Sequence, residues 1–193
     1  MSLKVLGGIA RGYYLDVPKG DLIRPTQILL KRRIFDYYQD FTGFCFVDLC
    51  AGSGSMGIEA WSRGAEAVYF SEPNKKVYDI LKNNLKQVEQ KYQVSKNFQA
   101  HFVAAEKAIE GFLLDVRQKK LEEDTVMFID PPYENHQVYF NLIDFLKRQK
   151  FRGVVWIESD LVKGPKKELL INGLKINKEY AHGDSFVLMA EIP

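Results

Sequence analysis

The chain has 193 residues, 46% of them hydrophobic, and a formal net charge of +2 at pH 7. A chain of this length folds as one domain without disulfides or metals, and its apolar runs fall short of the roughly 20 residues of a membrane span. Its two cysteines show neither a disulfide framework nor metal-ligand spacing, and the N-terminus lacks a signal-peptide hydrophobic region. We therefore expect a cytoplasmic protein with no bound metal and no membrane partner.

The basic side chains are unevenly distributed. The first 35 residues carry seven lysines and arginines against two aspartates, so the rest of the chain is slightly acidic. A basic segment on a near-neutral body suits a phosphate-binding surface, and it suits an ordinary solvated surface equally well. Charge alone leaves both interpretations open.

The N-terminal segment predicts a small β-hairpin followed by a helix. Residues 3–17 alternate loosely around glycines, and 18–21 read P-K-G-D, a turn signal. Thr26 is a candidate helix cap, and Gly43 is the expected end of the helix. The residues at helical spacing between them are Leu30, Ile34, Tyr38 and Phe41.

From residue 44 onward, strand and helix patterns alternate. The predicted strands are 44–49, 67–70, 98–103, 126–129 and 154–157, and the predicted helices are 55–63, 74–92, 106–117 and 136–148. Two further strands, 174–181 and 185–192, flank the turn signal H-G-D. This order predicts an α/β fold with a doubly wound, mostly parallel sheet of seven strands and an antiparallel C-terminal hairpin. Ligands of such sheets bind at the carboxyl ends of the strands.

A glycine-rich loop follows the first core strand. Gly52, Gly54 and Gly57 satisfy G-x-G-x-x-G between a strand and a helix, and Glu72 ends the next strand about 20 residues later. The glycines permit a ligand to approach the backbone closely, and the acid accepts hydrogen bonds from ribose hydroxyls. The combination predicts a ligand that contains adenosine.

Two ligand classes fit this loop: dinucleotides and S-adenosylmethionine. Asp48 lies four residues before the first glycine. A loop that binds a pyrophosphate needs no buried acid beside it, whereas a cationic sulfonium is stabilised by one. Asp48 therefore favours the methyl donor.

The stretch 128–134 reads F-I-D-P-P-Y-E and follows the strand expected beside the first one. An exocyclic amine of a base is a poor nucleophile and needs acceptors that hold its N–H groups. Asp130 supplies a carboxylate, and Pro131 a backbone carbonyl whose direction the ring restricts. Tyr133 can stack on an unstacked base. These three residues are the predicted catalytic group.

D-P-P-Y resembles the fourth motif of amino-group methyltransferases, and the wider chain resembles the bacterial 16S ribosomal RNA guanine-N2 methyltransferase family. The stretches that carry the resemblance are 7–12, 24–26, 48–60, 62–65, 130–133, W-I-E-S at 156–159 and H-G-D-S at 182–185. The resemblance implies a Rossmann-like class I methyltransferase domain over 26–193, with an N-terminal hairpin extension over 1–25. It also implies methyl transfer to the N2 amine of one guanine in 16S ribosomal RNA or the small ribosomal subunit, and we expect a monomer.

Candidate binding residues follow from the motifs. For S-adenosylmethionine they are Asp48, Ala51, Gly52, Ser53, Gly54, Glu72, Pro73 and Glu106, and for RNA they are Arg11, Arg24, Lys31, Arg32 and Arg33. Two departures from the family pattern matter. Residues 27–32 lack the family's mixture of acidic and basic side chains, and the register around Glu106 is ambiguous.

Other readings stay open at this point. The same chemistry could act on adenine or cytosine amines of DNA, or on a protein glutamine, although the chain shows no added DNA-recognition domain. A dinucleotide-dependent oxidoreductase would leave D-P-P-Y unexplained. A non-catalytic RNA-binding protein would not need Asp48, Glu72 and Asp130 together.

Overall fold

The computed structural model describes residues 2–18, 25–94 and 97–193, with side chains from residue 28 onward in the second range. The turn predicted at 18–21 falls mostly outside these ranges. Arg24 and the side chain of Thr26 also lie outside the described residues, so the predictions made for them stay predictions.

Strands and helices alternate as the sequence predicts. The strands after the N-terminal pair are β3 (Cys45–Asp48), β4 (Ala67–Ser71), β5 (Phe98–His101), β6 (Thr125–Ile129), β7 (Val154–Asp160), β8 (Lys175–His182) and β9 (Ser185–Glu191). The helices are α1 (Pro25–Tyr37), α2 (Ser55–Ser62), α3 (Lys75–Tyr92), α4 (Ala105–Gln118), α5 (His136–Arg148) and α6 (Lys167–Ile171).

Strands β3 to β9 form one sheet in the order β5-β4-β3-β6-β7-β9-β8. Strands β3 to β7 are parallel, and β9 runs antiparallel between β7 and β8. The chain builds outward from β3 to β5 and then returns to place β6 on the other side of β3. The switch point therefore lies between β3 and β6, and the expected fold class is confirmed.

Side chains alternate between the two faces of this sheet and build two cores. Phe46, Phe128 and Trp156 pack on the face covered by α1, α2 and α3. Val47 and Ile129 pack on the face covered by α4, α5 and α6. Because these central strands are covered on both sides, their sequences read as continuous apolar runs.

The N-terminal residues form a two-stranded antiparallel sheet of β1 (Ser2–Lys4) and β2 (Tyr14–Asp16). Its connecting segment is held against α2, because the backbone N–H groups of Leu6 and Gly7 each donate to the carboxylate of Glu59 at 2.8 Å. The residues that it adds to the core beside α2 and α3 are Val5, Ala10 and Leu15. The predicted hairpin is thus present and shares its core with the main sheet.

Helix α1 ends at Tyr37, earlier than the predicted end at Gly43. Phe41 continues the apolar spacing but is not helical. Its side chain is buried, and its N–H donates to Arg63 O at 2.9 Å. The apolar spacing correctly marks Phe41 as buried, but not as helical. After the helix ends at Tyr37, Phe41 bonds instead to Arg63, a residue distant in sequence.

The structure differs from the predicted secondary structure at two places near the C-terminus. Helix α6 was not predicted, because its five residues are too few for a periodic pattern. Strand β7 continues past the predicted end at Ile157 to Asp160, because Glu158, Ser159 and Asp160 pair with β9. Because these three residues are polar, the sequence pattern predicted that the strand ends before them, although the structure buries them. Within the described ranges, none of the helices is long and apolar enough to cross a membrane.

Candidate active site at the carboxyl ends of the parallel strands

The glycine loop after β3 contains glycines of two kinds. Gly52 and Gly54 have φ angles of +54° and +82°, in the left-handed region that favours glycine. A Cβ on Gly54 would lie 2.5 Å from Leu81 Cδ1, and one on Gly57 would lie 2.4 Å from Phe70 Cε1. A Cβ on Gly52 would meet no atom within 4 Å. Two glycines therefore permit tight packing around α2, whereas Gly52 borders open space.

The backbone of the loop is held on both sides. Ala51 N–H donates to Ser71 O at 3.0 Å, which ties the loop to the end of β4. The Asn84 side chain on α3 donates to Ser53 O and to Asp16 O, each at 2.9 Å, and accepts from Asp16 N–H at 2.9 Å. Asn84 thus links the N-terminal hairpin to the glycine loop, and no sequence motif pointed to it.

Asp48, the last residue of β3, is 1% exposed. Its Oδ2 accepts from Gly57 N–H at 3.4 Å, while its Oδ1 is buried and has no hydrogen-bond partner among the described residues. Burial, and secondarily the negative charge of Glu72, raise the pKa of Asp48 to about 7. A buried carboxylate oxygen that no protein group satisfies is a site that a cationic ligand would stabilise.

Glu72 directly follows β4, as predicted, and lies against the glycine loop. Its carboxylate accepts from Gly52 N–H at 3.0 Å and from Asn74 N–H at 2.8 Å. Burial raises the pKa of Glu72 despite these two hydrogen bonds. The two backbone groups hold the carboxylate in one orientation and leave it further acceptor capacity.

The D-P-P-Y segment starts at the same end of the sheet as the glycine loop. In the parallel pair of β3 and β6, Asp48 lies opposite Phe128, and Leu49 N–H donates to Phe128 O at 3.1 Å. Asp130 is half-buried two residues after Phe128. Burial and the charges of Glu158 and Asp48 raise the pKa of Asp130 well above its ordinary value. The structure therefore places the glycine loop and the D-P-P-Y segment side by side, at the carboxyl ends of the neighbouring strands β3 and β6.

The carbonyl of Pro131, whose direction the proline ring restricts, also has a protein partner. Tyr139 on α5 is fully buried, and its hydroxyl lies 3.1 Å from Pro131 O and 2.9 Å from Glu158 O. A hydroxyl has one hydrogen, so the two carbonyls share it and each keeps acceptor capacity. Tyr139 thereby fixes the D-P-P-Y turn against β7.

A second carboxylate lies beside the D-P-P-Y segment, and the sequence analysis assigned it no role. Glu158 on β7 is 7% exposed, and the Tyr133 hydroxyl donates to its Oε1 at 3.4 Å. Burial raises the pKa of Glu158, with a further contribution from Asp48. In the sequence, Glu158 belongs to the W-I-E-S stretch, which is part of the family resemblance but to which no chemical role was assigned.

The remaining cofactor candidates lie at the surface. Pro73 is exposed beside the end of β4, and Glu106 is exposed in the first turn of α4. Among the described residues, no cluster of histidine, cysteine, aspartate or glutamate has the arrangement of a metal site.

Of the basic candidates, Arg11, Arg32 and Arg33 are exposed, whereas Lys31 is not. The amine of Lys31 donates to Ser55 O at 2.8 Å and lies 3.3 Å from Glu59 Oε2, and the residue is 8% exposed. The prediction that Lys31 grips RNA is therefore corrected. Its side chain turns inward because Glu59, which is fully buried, needs a counter-charge.

A family model described as "Conserved hypothetical protein 95" matches residues 3–190. The chain belongs to this family. It is 32% identical over 161 residues to YlbH of Bacillus subtilis (strain 168), a protein provisionally named as an rRNA methyltransferase, across 82% of this chain and 83% of that protein. It is 29% identical over 145 residues to the ribosomal RNA small subunit methyltransferase D of Haemophilus influenzae, across 74% and 67% of the two chains.

Among solved structures, the chain is similar to yhhF from Escherichia coli, provisionally described as a methyltransferase. The TM-score is 0.74 at 21% identity, and the match covers 98% of this chain and 97% of that one. At this identity the likeness concerns the fold, and it agrees with the Rossmann-like architecture expected from the family resemblance.

Proposed function

We propose that this protein transfers a methyl group from S-adenosylmethionine to the exocyclic N2 amine of a guanine in 16S ribosomal RNA. The observation that carries the proposal is the position of Asp48 at the end of β3 and of Asp130 just after the end of the neighbouring strand β6. The first keeps a buried, unbonded oxygen beside the glycine loop, and the second begins the D-P-P-Y turn. The rRNA methyltransferase names of its relatives support the class of substrate.

The residues around the glycine loop fit the cofactor. S-adenosylmethionine, when bound, supplies a methyl group activated by a positively charged sulfur. The unpartnered Oδ1 of Asp48 offers the opposite charge, and the open space beside Gly52 admits a ligand against the backbone of Ala51–Gly54. We assign the ribose hydroxyls to Glu72, since two backbone N–H groups already orient its carboxylate. Pro73 and Glu106 are assigned to the outer rim of the site.

Asp130 is assigned to the guanine amine. The nitrogen lone pair is delocalised into the ring, so the amine must pyramidalise before it attacks, and an acceptor for its N–H groups favours that geometry. As the new N–C bond forms, positive charge develops on nitrogen, and a carboxylate already in place stabilises it. Because the pKa of Asp130 is raised, its carboxylate is also a competent acceptor for the proton that the nitrogen then releases to it and on to water.

Pro131 and Tyr133 are assigned to positioning the base. The Pro131 carbonyl keeps acceptor capacity for a second N–H, and its bond to Tyr139 holds the turn rigid. The ring of Tyr133 offers a surface on which the base can stack, worth about 1–3 kcal/mol for single-stranded bases. The base must leave its own stack to reach this position.

RNA binding is assigned to the basic surface that includes Arg11, Arg32 and Arg33, which are exposed, together with Arg24. We treat residues 1–25 as an RNA-contacting extension of the methyltransferase domain formed by 26–193. We further propose that the protein acts as a cytoplasmic monomer on the RNA or on the small subunit.

The decisive experiment is an incubation with labelled S-adenosylmethionine and one of three acceptors: hypomethylated small ribosomal subunits, free 16S RNA or DNA. Nucleoside analysis should find N2-methylguanosine in the RNA. An Asp130→Asn variant should lose activity by about 100-fold or more, because it removes the charge that stabilises the developing cation.

The matched control is Asp124→Asn, which changes an exposed aspartate at the opposite end of β6 and should leave turnover unchanged. Methylated adenine or cytosine, label only in DNA or in protein, or full activity of the Asp130→Asn variant would contradict the proposal. Calorimetry with S-adenosylmethionine should give both variants nearly wild-type affinity.

A further inference from the structure

Glu158 lies beside Asp130 in the sheet and has no role in the mechanism above. In the parallel pair of β6 and β7, Ile129 lies opposite Ile157, so Asp130 and Glu158 are the next residues along the two strands. Neighbouring parallel strands lie about 4.8 Å apart, so the two backbones bring these residues close together. The tight burial of Glu158 in a strand is unusual for a glutamate.

The two carboxylates also point to the same face. Phe128 and Trp156 pack together on the side of α1, and side chains two residues further along a strand share that face. Glu158, within β7, therefore projects toward the side on which Asp48 lies, and continued alternation places Asp130, the first residue after β6, on the same side. None of the ion pairs among the described residues involves either of them.

Such an acidic pair is costly to bury, and the nearby unpartnered Oδ1 of Asp48 indicates that this part of the molecule is completed by a ligand. We assign Asp48 to the positively charged cofactor. Asp130 and Glu158 keep acceptor capacity beyond the hydrogen bond from the Tyr133 hydroxyl, and the acceptor base is a group that can supply further donors.

We propose that Glu158 determines specificity for guanine by accepting the N1–H of the base while Asp130 accepts the N2 amine. This inference rests on the proposed function. Guanine presents two adjacent donors on this edge, N1–H and N2–H, which match two adjacent carboxylates. Adenine and cytosine place a ring-nitrogen lone pair beside their amine, and a carboxylate facing that lone pair is repelled.

The Tyr133 hydroxyl holds Glu158 in place from the D-P-P-Y side, at 3.4 Å from Oε1. One tyrosine would then serve both tasks, since its ring stacks on the base and its hydroxyl orients the carboxylate that reads the base. In this arrangement Glu158 is the functional residue of the W-I-E-S stretch.

The test replaces the methylated guanine of 16S RNA by 2-aminopurine, which keeps the N2 amine but lacks the C6 oxygen and has a lone pair instead of a hydrogen at N1. The RNA is assembled by ligation of a synthetic segment and used free or in reconstituted subunits, whichever form the wild type methylates. Wild-type kcat/KM should favour guanine by about 10- to 100-fold, the range of one well-formed pair of base contacts. Glu158→Gln should reduce that ratio by about tenfold, since an amide can donate to the N1 lone pair.

Two controls separate specificity from structure. Glu123→Gln, at an exposed glutamate at the other end of the sheet, should keep the wild-type ratio. Tyr133→Phe should lower turnover on both RNAs while largely preserving the ratio, because the carboxylate is still present. An unchanged ratio in Glu158→Gln would overturn the inference, as would a wild type that methylates both bases equally. Failure of the wild type to methylate any guanine would instead overturn the proposed function on which it rests.

Discussion

Individual side chains at this site are held in states that the folded protein alone does not favour. Asp48 leaves a carboxylate oxygen buried and unbonded, and Gly52 adopts a left-handed φ beside open space. The unbonded oxygen of Asp48 opposes stability in the absence of a ligand and would be stabilised by a cationic ligand against the loop. Gly52 adopts its left-handed φ at no steric cost and leaves space for such a ligand. The glycines of the motif can be tested separately, because they differ in what surrounds them.

Gly52→Ala should mainly weaken cofactor binding, whereas Gly57→Ala should mainly weaken the fold. A methyl group on Gly52 meets no protein atom, so the variant should lose only about 1 kcal/mol of stability from its left-handed backbone, while its affinity for S-adenosylmethionine falls at least tenfold. A methyl group on Gly57 would press into Phe70 and Val68, so that variant should unfold at a markedly lower temperature.

Thermal denaturation and calorimetry with S-adenosylmethionine measure the two effects on the same samples. Tight cofactor binding by Gly52→Ala would show that the space beside this residue is not part of the cofactor site.

Helix α1 combines a structural face and a solvent face within three consecutive residues. Lys31 turns inward to the fully buried Glu59, which also accepts from the N-terminal segment and from Arg63 Nε at 2.9 Å. Arg32 and Arg33 remain exposed. Three adjacent basic residues that look alike in the sequence therefore divide into one that is buried and two that lie at the surface, where we propose contacts to RNA.

Variants along this helix should separate the two roles. Lys31→Gln should lower the free energy of unfolding by about 3 kcal/mol, because it removes a counter-charge from buried Glu59. The dependence of RNA affinity on salt concentration should stay unchanged in that variant. Arg32→Gln should leave stability unchanged and make the salt dependence shallower, as expected when one phosphate contact is lost.

Filter binding to 16S RNA over a range of salt concentrations, together with urea denaturation, provides the comparison. A shallower salt dependence in Lys31→Gln without a loss of stability would contradict the buried position of the lysine.

The molecule as a whole places its acidic residues of raised pKa at one end of the sheet. Burial is the principal cause of the raised pKa for Asp48, Asp130 and Glu158. Repulsion from neighbouring acids adds to it: Glu72 acts on Asp48, Glu158 and Asp48 act on Asp130, and Asp48 acts on Glu158. A carboxyl whose pKa is higher in the folded state binds protons more tightly there than in the unfolded chain. Its contribution to stability is fully present below about pH 4 and is lost as the pH rises through the folded-state pKa.

Asp130→Asn should therefore be more stable than the cofactor-free wild type at about pH 8 and no more stable at about pH 4. Urea denaturation at the two pH values measures the difference, with Asp124→Asn as the control. A stability difference of the same size at both pH values would contradict a raised pKa for Asp130. The expected gain in stability accompanies the loss of activity, as in other sites that are shaped for function rather than for stability.

Much of the architecture follows from local patterns. The alternation of strands and helices, the position of Glu72 after β4 and the location of D-P-P-Y after β6 all depend on residues close in sequence. Glu158 and Asn84 escaped prediction because their roles depend on partners far along the chain, Tyr133 in one case and Asp16 and Ser53 in the other. Polar residues inside a strand look like a strand end until the neighbouring strand is known.

The amino-acid sequence by itself determined the order of the elements, the two loops with their acids and the family, because hydrophobic periodicity and motif spacing are local properties. The tertiary structure alone decided which side chains meet. It turned Lys31 inward, gave the Pro131 carbonyl a buried partner in Tyr139 and set Glu158 beside Asp130. The physical reason is that burial and strand register, which set the charge state and the contacts of each acid, arise only when distant segments pack together.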